Sequence, residues 1–384
     1  MKQSLWAAFI VILLLPALAP AQKSLTTLYF FNGTSDGANP NANVIRDSTG
    51  NLYGTTYGGG SSDEGVVFSL NTSGQETVIH NFAGGSDGYY PFTPMLRDRT
   101  GNLYGVTSLG GNNSDGIVFK IDTSGKESIL HTFAGGTDGC HPSQGLIIDS
   151  AGTLYGTFGL CGSNYSGGIF KVTPDGTLTV LHNFVGAPTD GAVPHGGHLV
   201  MDKKGNLYGV TLGGGRKDQG VLYRLSKNGT FTVLHSFAGG KKDGCQPQGT
   251  VAMDKAGNFY GIANACGSSN MGVLWKVSKK QVTILHNFSG PSDGSYPNSG
   301  VVLDPQGDMF GVTQYGGSGS SGVLYKLNST GKFTLLHSFE GSDGGLPNGE
   351  VLRDKNGGLY GTTNIGGNLS GCGGTGCGTV WAFK

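Results

Sequence analysis

The run Pro194-His195-Gly196-Gly197-His198 holds the two side chains best suited to chemistry. Imidazoles titrate near neutral pH, so two on one loop can act as general acid and base or ligate a metal ion. Glu350 holds the corresponding position of a later sequence repeat, which makes His195, His198 and Glu350 the candidate catalytic set. Two histidines without a third ligand fall short of a metal site, and none is assigned. No nucleophile elbow is assigned, and the chain has no H-E-x-x-H pair and no phosphate loop.

Six of the nine histidines recur at one position: His80, His131, His182, His235, His286 and His337, with Tyr29 in the first copy. A repeated series is a poor catalyst, because an active site needs unlike groups converging on one point. The expectation is a hydrogen-bonded histidine packed between repeat units. Alternation along a strand would put it on one face with its neighbours two away, as in Ile129, His131 and Phe133. Asp36, Asp87, Asp138, Asp190, Asp243, Asp293 and Asp343 each precede a glycine, the pairing of a turn whose carboxylate bonds backbone amides. No cofactor is assigned; calcium is the one left open, since it takes carboxylates and carbonyls, although no loop has dense D-x-D-x-D spacing.

Residues that differ between copies are better candidates for function. Directly after a recurring loop proline come Asn41, Phe92, Ser143, His195, Gln248, Asn298 and Asn348. Most are polar and uncharged, which suits hydrogen bonding to hydroxyl-rich ligands. Tyr57, Tyr89, Tyr90, His141, Tyr296 and Tyr315 are the expected neighbours on the same loops and offer rings for stacking on a sugar face.

The elements that position these residues follow from the repeats. Leu52-Tyr53-Gly54 recurs at 103–105, 154–156 and 207–209, then in altered form at 259–261 and 309–311, and again at 359–361. Successive aromatics are 51, 51, 53, 52, 50 and 50 residues apart, giving seven copies. Each copy reads as four short strands between turn signals; in the second they are A (95–97), B (102–107), C (117–121) and D (127–133). Seven four-stranded units describe an all-β, seven-bladed β-propeller. The stretch 25–31 matches strand D, while the chain ends on strands A, B and C. The N-terminal strand should therefore complete the last blade and close the ring, removing two exposed sheet edges. Strand A is then innermost, and the post-proline residues ring the mouth of the central channel.

The six cysteines fit this geometry. Cys140 and Cys161 occupy a D-to-A and a B-to-C loop of one repeat, and Cys245 and Cys266 the equivalent loops two repeats later. Both loop types emerge on one face of a blade, so the expected pairs are Cys140–Cys161 and Cys245–Cys266, with Cys372–Cys377 closing a small local loop. Pairing of all six implies an oxidising compartment.

Composition agrees. Glycine supplies 72 of 384 residues, without the G-X-Y period of collagen. Twenty-five basic residues against 25 acidic ones give no basic stripe, which argues against nucleic acid. Lys2, the apolar run 5–15 and Ala19-Pro20-Ala21 read as a signal peptide cleaved after Ala21, leaving a single propeller domain over 22–384. That run is shorter than the roughly 18–20 apolar residues of a membrane anchor, and no other segment is a transmembrane candidate.

The composite D-x-x-G-N-L-Y-G-T-T, G-G, G-x-V-F-x-L and L-H-x-F-x-G-G-x-D-G resembles the GloVer tandem repeat of secreted bacterial proteins. Good copies are 47–56 with 65–70, and 181–184. The resemblance spans nearly all of the mature chain and carries no catalytic residues with it. Many such proteins have a C-terminal surface anchor, whereas this chain stops at Lys384, directly after a strand. The D-x-x-G-N-x-Y turn is also similar to turns in lyase and lactonase propellers. The leading expectation is a secreted, monomeric binding module for a glycan or another extracellular polymer or protein. The alternatives are a propeller lyase or hydrolase acting at the channel mouth, and a structural protein of surface interaction.

Overall fold

The computed structural model describes residues 23–384. The expected signal peptide lies outside the described residues. Each repeat motif has a local physical cause. In D-x-x-G-N-L-Y, Asp47 Oδ1 accepts the backbone N–H groups of Thr49, Gly50 and Asn51, and Oδ2 accepts the Asn51 amide and the Tyr53 hydroxyl. One carboxylate thus caps the A–B hairpin and ties it to strand B. The same tyrosine bond, at 3.0–3.1 Å, recurs at Tyr104, Tyr155, Tyr208, Tyr260 and Tyr360. The motif glycine has a different reason. Gly105 lies opposite Phe119 of strand C, and a Cβ there would come within 2.6 Å of the ring. Glycine lets the ring lie flat across the sheet.

Seven antiparallel blades of four strands follow in chain order; in blade three the inner strand is split into Cys140–Pro142 and Ile147–Ile148, both paired with Leu154–Leu160. Blade one comprises Ile45–Arg46, Leu52–Thr56, Val66–Leu70 and Glu76–Asn81. In blade two the strands are Leu96–Arg97, Leu103–Thr107, Ile117–Ile121 and Glu127–Thr132, within a residue or so of the expected bounds. Blade seven comprises Leu352–Arg353, Leu359–Thr363 and Thr379–Phe383, and its outer strand is Leu25–Phe30. Leu25 pairs with Phe383 and Phe30 with Thr379, so the two ends of the chain close the ring. The protein is a seven-bladed β-propeller.

The core consists of apolar seams between blades. Val106, Val118 and Phe133 of blade two, for example, meet Leu146, Leu154 and Phe170 of blade three. Strand D departs from simple alternation. His131 faces Val118 while Ile129 faces Phe119, so Leu130 is an extra residue between them. This bulge turns Ile129 to the opposite face from His131, correcting the expected grouping, and leaves Ile129 exposed. His131 and Phe133 do stay together, edge to face at 5.2 Å.

The histidine and aspartate series form one device. His131 Nε2 lies 3.1 Å from Asp138 Oδ2, and His182, His235, His286 and His337 pair likewise with Asp190, Asp243, Asp293 and Asp343. Each aspartate also accepts a backbone N–H just past strand D, such as that of Ala134. The pair pins the D–A loop to the strand it leaves. Disulfides join Cys140–Cys161, Cys245–Cys266 and Cys372–Cys377. The first two cross-link D–A and B–C loops that pair through the backbone in other blades, as at Ala38–Gly58 and Ser295–Tyr315.

Candidate functional site at the channel mouth

Each post-proline residue enters the inner strand of its blade, and the ring brings these residues together. Asn41, Phe92, Ser143, His195, Asn298 and Asn348 line a cavity of about 130 Å³ to which six of the seven blades contribute, which places it on the ring axis. Gln248 does not line it but joins the group through its amide. Gln248 Nε2 donates to Asn298 Oδ1, Asn298 Nδ2 to Asn348 Oδ1, and Asn348 Nδ2 to Asn41 Oδ1. Four amides from four neighbouring blades run head to tail around half of the mouth. Each retains a further N–H for a ligand, and Gln248, Asn298 and Asn348 also retain a carbonyl lone pair, whereas Asn41 Oδ1 accepts a second bond from Asn364 Nδ2 at 3.4 Å. On the other half, Ser143 Oγ donates to the Pro194 carbonyl at 2.8 Å, leaving Phe92 and His195 at the lip.

The extra residue of the fourth repeat forms a left-handed pair, Gly196 and Gly197, packed on the inner strand of blade five. A Cβ at Gly197 would collide with the Thr250 backbone nitrogen, so only glycine allows this approach. It delivers His198 to Thr250, whose Oγ1 lies 3.1 Å from His198 Nδ1 and accepts the His198 backbone N–H at 3.0 Å. Glu350 Oε2 lies 3.9 Å from His198 Nδ1, buried and without a hydrogen-bond partner. Burial pushes the Glu350 carboxyl up to about 7, with a hydrogen bond from Thr250 opposing only part of the rise. Burial lowers the His198 imidazole to about 4, and burial also lowers that of His195. At neutral pH a neutral imidazole therefore sits beside a carboxyl group poised between its two forms. His195 and Glu350 share the cavity wall.

Tyrosines flank the mouth in two groups. Tyr57 and Tyr90 stack at 4.3 Å with Tyr89 edge-on to Tyr90, and Tyr296 meets Tyr315 edge to face at 6.0 Å. Tyr57, Tyr296 and Tyr315 are exposed. His141 is held differently, its Nδ1 lying 3.2 Å from the Ser108 carbonyl.

Sequence reasoning named Tyr90, His141 and Tyr296 but missed that they belong to a ring formed by the residue before each loop proline. Asn39, Tyr90, His141, Val193, Gln246, Tyr296 and Leu346 all take φ between 51° and 59°. A non-glycine residue in this region is strained, and proline normally drives its predecessor to extended backbone. Each donates its N–H to a B–C loop of the preceding blade, as Tyr90 does to Glu64 and His141 to Asp115. The signal available was a position fixed in place by proline yet free in residue type.

The fold and this mouth define a ring-closed β-propeller with an axial cavity. The Gloeobacter/Verrucomicrobia repeat matches residues 15–159 and 142–380, and the chain belongs to that family. No curated protein matches it. Among solved structures it is similar to virginiamycin B lyase from Staphylococcus aureus, with 13% identity and a TM-score of 0.61 over 94% of this chain and 99% of that one. It is also similar to the extracellular domain of a protein described as a one-component system of B. thetaiotaomicron, with 12% identity and a TM-score of 0.55, covering 91% and 39%. At such identities the likeness is one of fold.

Proposed function

We propose that the chain is a secreted binding module whose mouth face takes a hydroxyl-rich polymer, a glycan. The half-ring of neutral amides carries this reading: it offers several donors and acceptors, already oriented by one another, with no net charge. A cavity of about 130 Å³ is below the roughly 300–1,000 Å³ of pockets that engulf a small molecule. It suits one projecting group of a larger ligand, with the tyrosine groups beside it as platforms for neighbouring rings. Three disulfides support export to an oxidising compartment. In a thermal-shift screen of the mature protein against oligosaccharides, one sugar class should raise the melting temperature. Tyr57→Ala or Tyr315→Ala should each weaken that ligand by roughly three- to tenfold, in line with about 1 kcal/mol per stacking contact. Unchanged affinity in both variants would reject the platform, and the lack of any sugar response would reject the glycan.

A second reading rests on Glu350, whose buried Oε2 has no hydrogen-bond partner, beside neutral His198. Two titratable groups whose surroundings push their pKa values apart suit proton transfer in a lyase or hydrolase. Glu350→Gln would then abolish turnover of the bound polymer while leaving its retention intact. Retention lost together with turnover would instead make Glu350 part of the binding surface.

A further inference from the structure

We infer that the seam between blades one and two binds one first-row divalent cation of the zinc or manganese class through His80, Asp87 and Glu127. The three side chains offer one imidazole nitrogen and two carboxylates, all within 4.8 Å of one another. His80 Nε2 lies 3.4 Å from Asp87 Oδ2 and 3.8 Å from Glu127 Oε2. Tetrahedral zinc, with bonds of about 2.0–2.1 Å, holds its ligand atoms about 3.3 Å apart, so small side-chain shifts complete the geometry. The donor set of imidazole and carboxylate oxygen selects the metal class, because calcium takes six to eight oxygens.

The comparison within the ring points to a ligand rather than to ordinary packing. Glu127 is the first residue of its strand D, paired with Ile121. The same register position holds Leu178, Phe231, Val282, Phe333 and Leu25 in blades three to seven. In two of those seams the histidine of the preceding blade stacks on the apolar residue, His182 on Phe231 and His286 on Phe333. Histidine and aspartate approach to 2.6–3.1 Å in blades two to six. At the first pair the distance opens to 3.4 Å, and both His80 Nε2 and Glu127 Oε1 are buried without a hydrogen-bond partner. A cation would satisfy both atoms and neutralise two adjacent carboxylates at once. The Ala83 backbone N–H, 2.6 Å from Asp87 Oδ2, already orients that ligand. Asp87 remains partly exposed and gives water or an entering ion access. Seam seven–one also has a glutamate, Glu76, but its partner is Tyr29, whose hydroxyl donates to Asp36 at 2.9 Å, so it lacks the nitrogen ligand. The cluster Asp115, Cys140 and His141 is unsuited, because Cys140 is oxidised in a disulfide.

The test is calorimetric titration of chelator-stripped mature protein with Zn²⁺ and Mn²⁺, alongside thermal melts. One equivalent should bind and raise the melting temperature. Glu127→Leu, which installs the residue of blade three, should weaken binding at least thirtyfold while the stripped variant melts no lower than the stripped parent. Glu350→Gln should bind as the parent does, which separates this site from the channel. Anomalous diffraction at the zinc edge should place the ion at the blade one–two seam. Failure of both metals to bind, undiminished binding by Glu127→Leu, or an anomalous peak elsewhere would each overturn the inference.

Discussion

Tyr325 illustrates how a single atom can work against the packing that surrounds it. Every motif glycine on strand B faces an aromatic ring on strand C; blades one to three use Phe68, Phe119 and Phe170. Blades four to seven use Tyr223, Trp275, Tyr325 and Trp381. The polar atom of each of these four is buried without a hydrogen-bond partner. An unmatched buried hydroxyl costs about 1–3 kcal/mol relative to its hydrated state. Tyr325→Phe keeps the ring and removes that hydroxyl, so it should raise the free energy of unfolding in urea by about 1 kcal/mol. A loss of stability would mean that the hydroxyl holds a partner such as a buried water. Residue identity was legible here, because the motif glycine after an aromatic residue, with another aromatic on the next strand, is visible in every repeat. The unmatched atom was not, since burial of one hydroxyl depends on the facing blade.

At the scale of elements, strand D shows where sequence pattern and structure part. Alternation grouped Ile129 with His131, and one bulged residue separates them. Bulges insert a residue without changing composition, so period-two reasoning cannot register them. The coupling of histidine to the D–A aspartate was open to view as two series in step, yet each series read alone suggested only packing or a turn. The mouth residues were legible as a set because proline marks their place in every copy. Their amide chain was not, because it depends on the distances between blades. The first strand-D residues also carry a titration. Burial, with Asp36 adding to it, pushes Glu76 up to about 7. Burial, with Asp87 adding to it, pushes Glu127 up to about 9, while His80 faces it from blade one. Both values lie above the ordinary 4.5, so the folded state holds protons that the unfolded chain has released. That stabilisation is complete below about pH 4.5 and is lost as pH rises toward 7 and 9. Unfolding free energy measured with chelator should fall by a few kcal/mol from pH 5 to 9. Glu127→Leu should flatten the upper half of that decline. An unchanged slope would place the loss in other groups.

At the scale of the whole molecule, closure sets both stability and site. Leu25–Phe30 covers the outer edge of Thr379–Phe383. Phe31, fully buried, then packs edge to face on Phe68 of blade one at 5.1 Å. A single N-terminal strand therefore completes blade seven and fills the seam to blade one. The Asn348–Asn41 bond of the mouth crosses that same seam. A chain that begins at residue 32, without this strand, should expose a strand edge able to pair with another copy. The truncated protein should lose its cooperative melt, elute as dimers and larger species in light-scattering chromatography, and lose retention of any mouth ligand. A synthetic peptide of residues 23–32 added in trans should restore the parent's size and its ligand retention together. Full ligand retention by a truncated monomer would show that the mouth is built without closure, and that the amide chain is set blade by blade rather than by the ring.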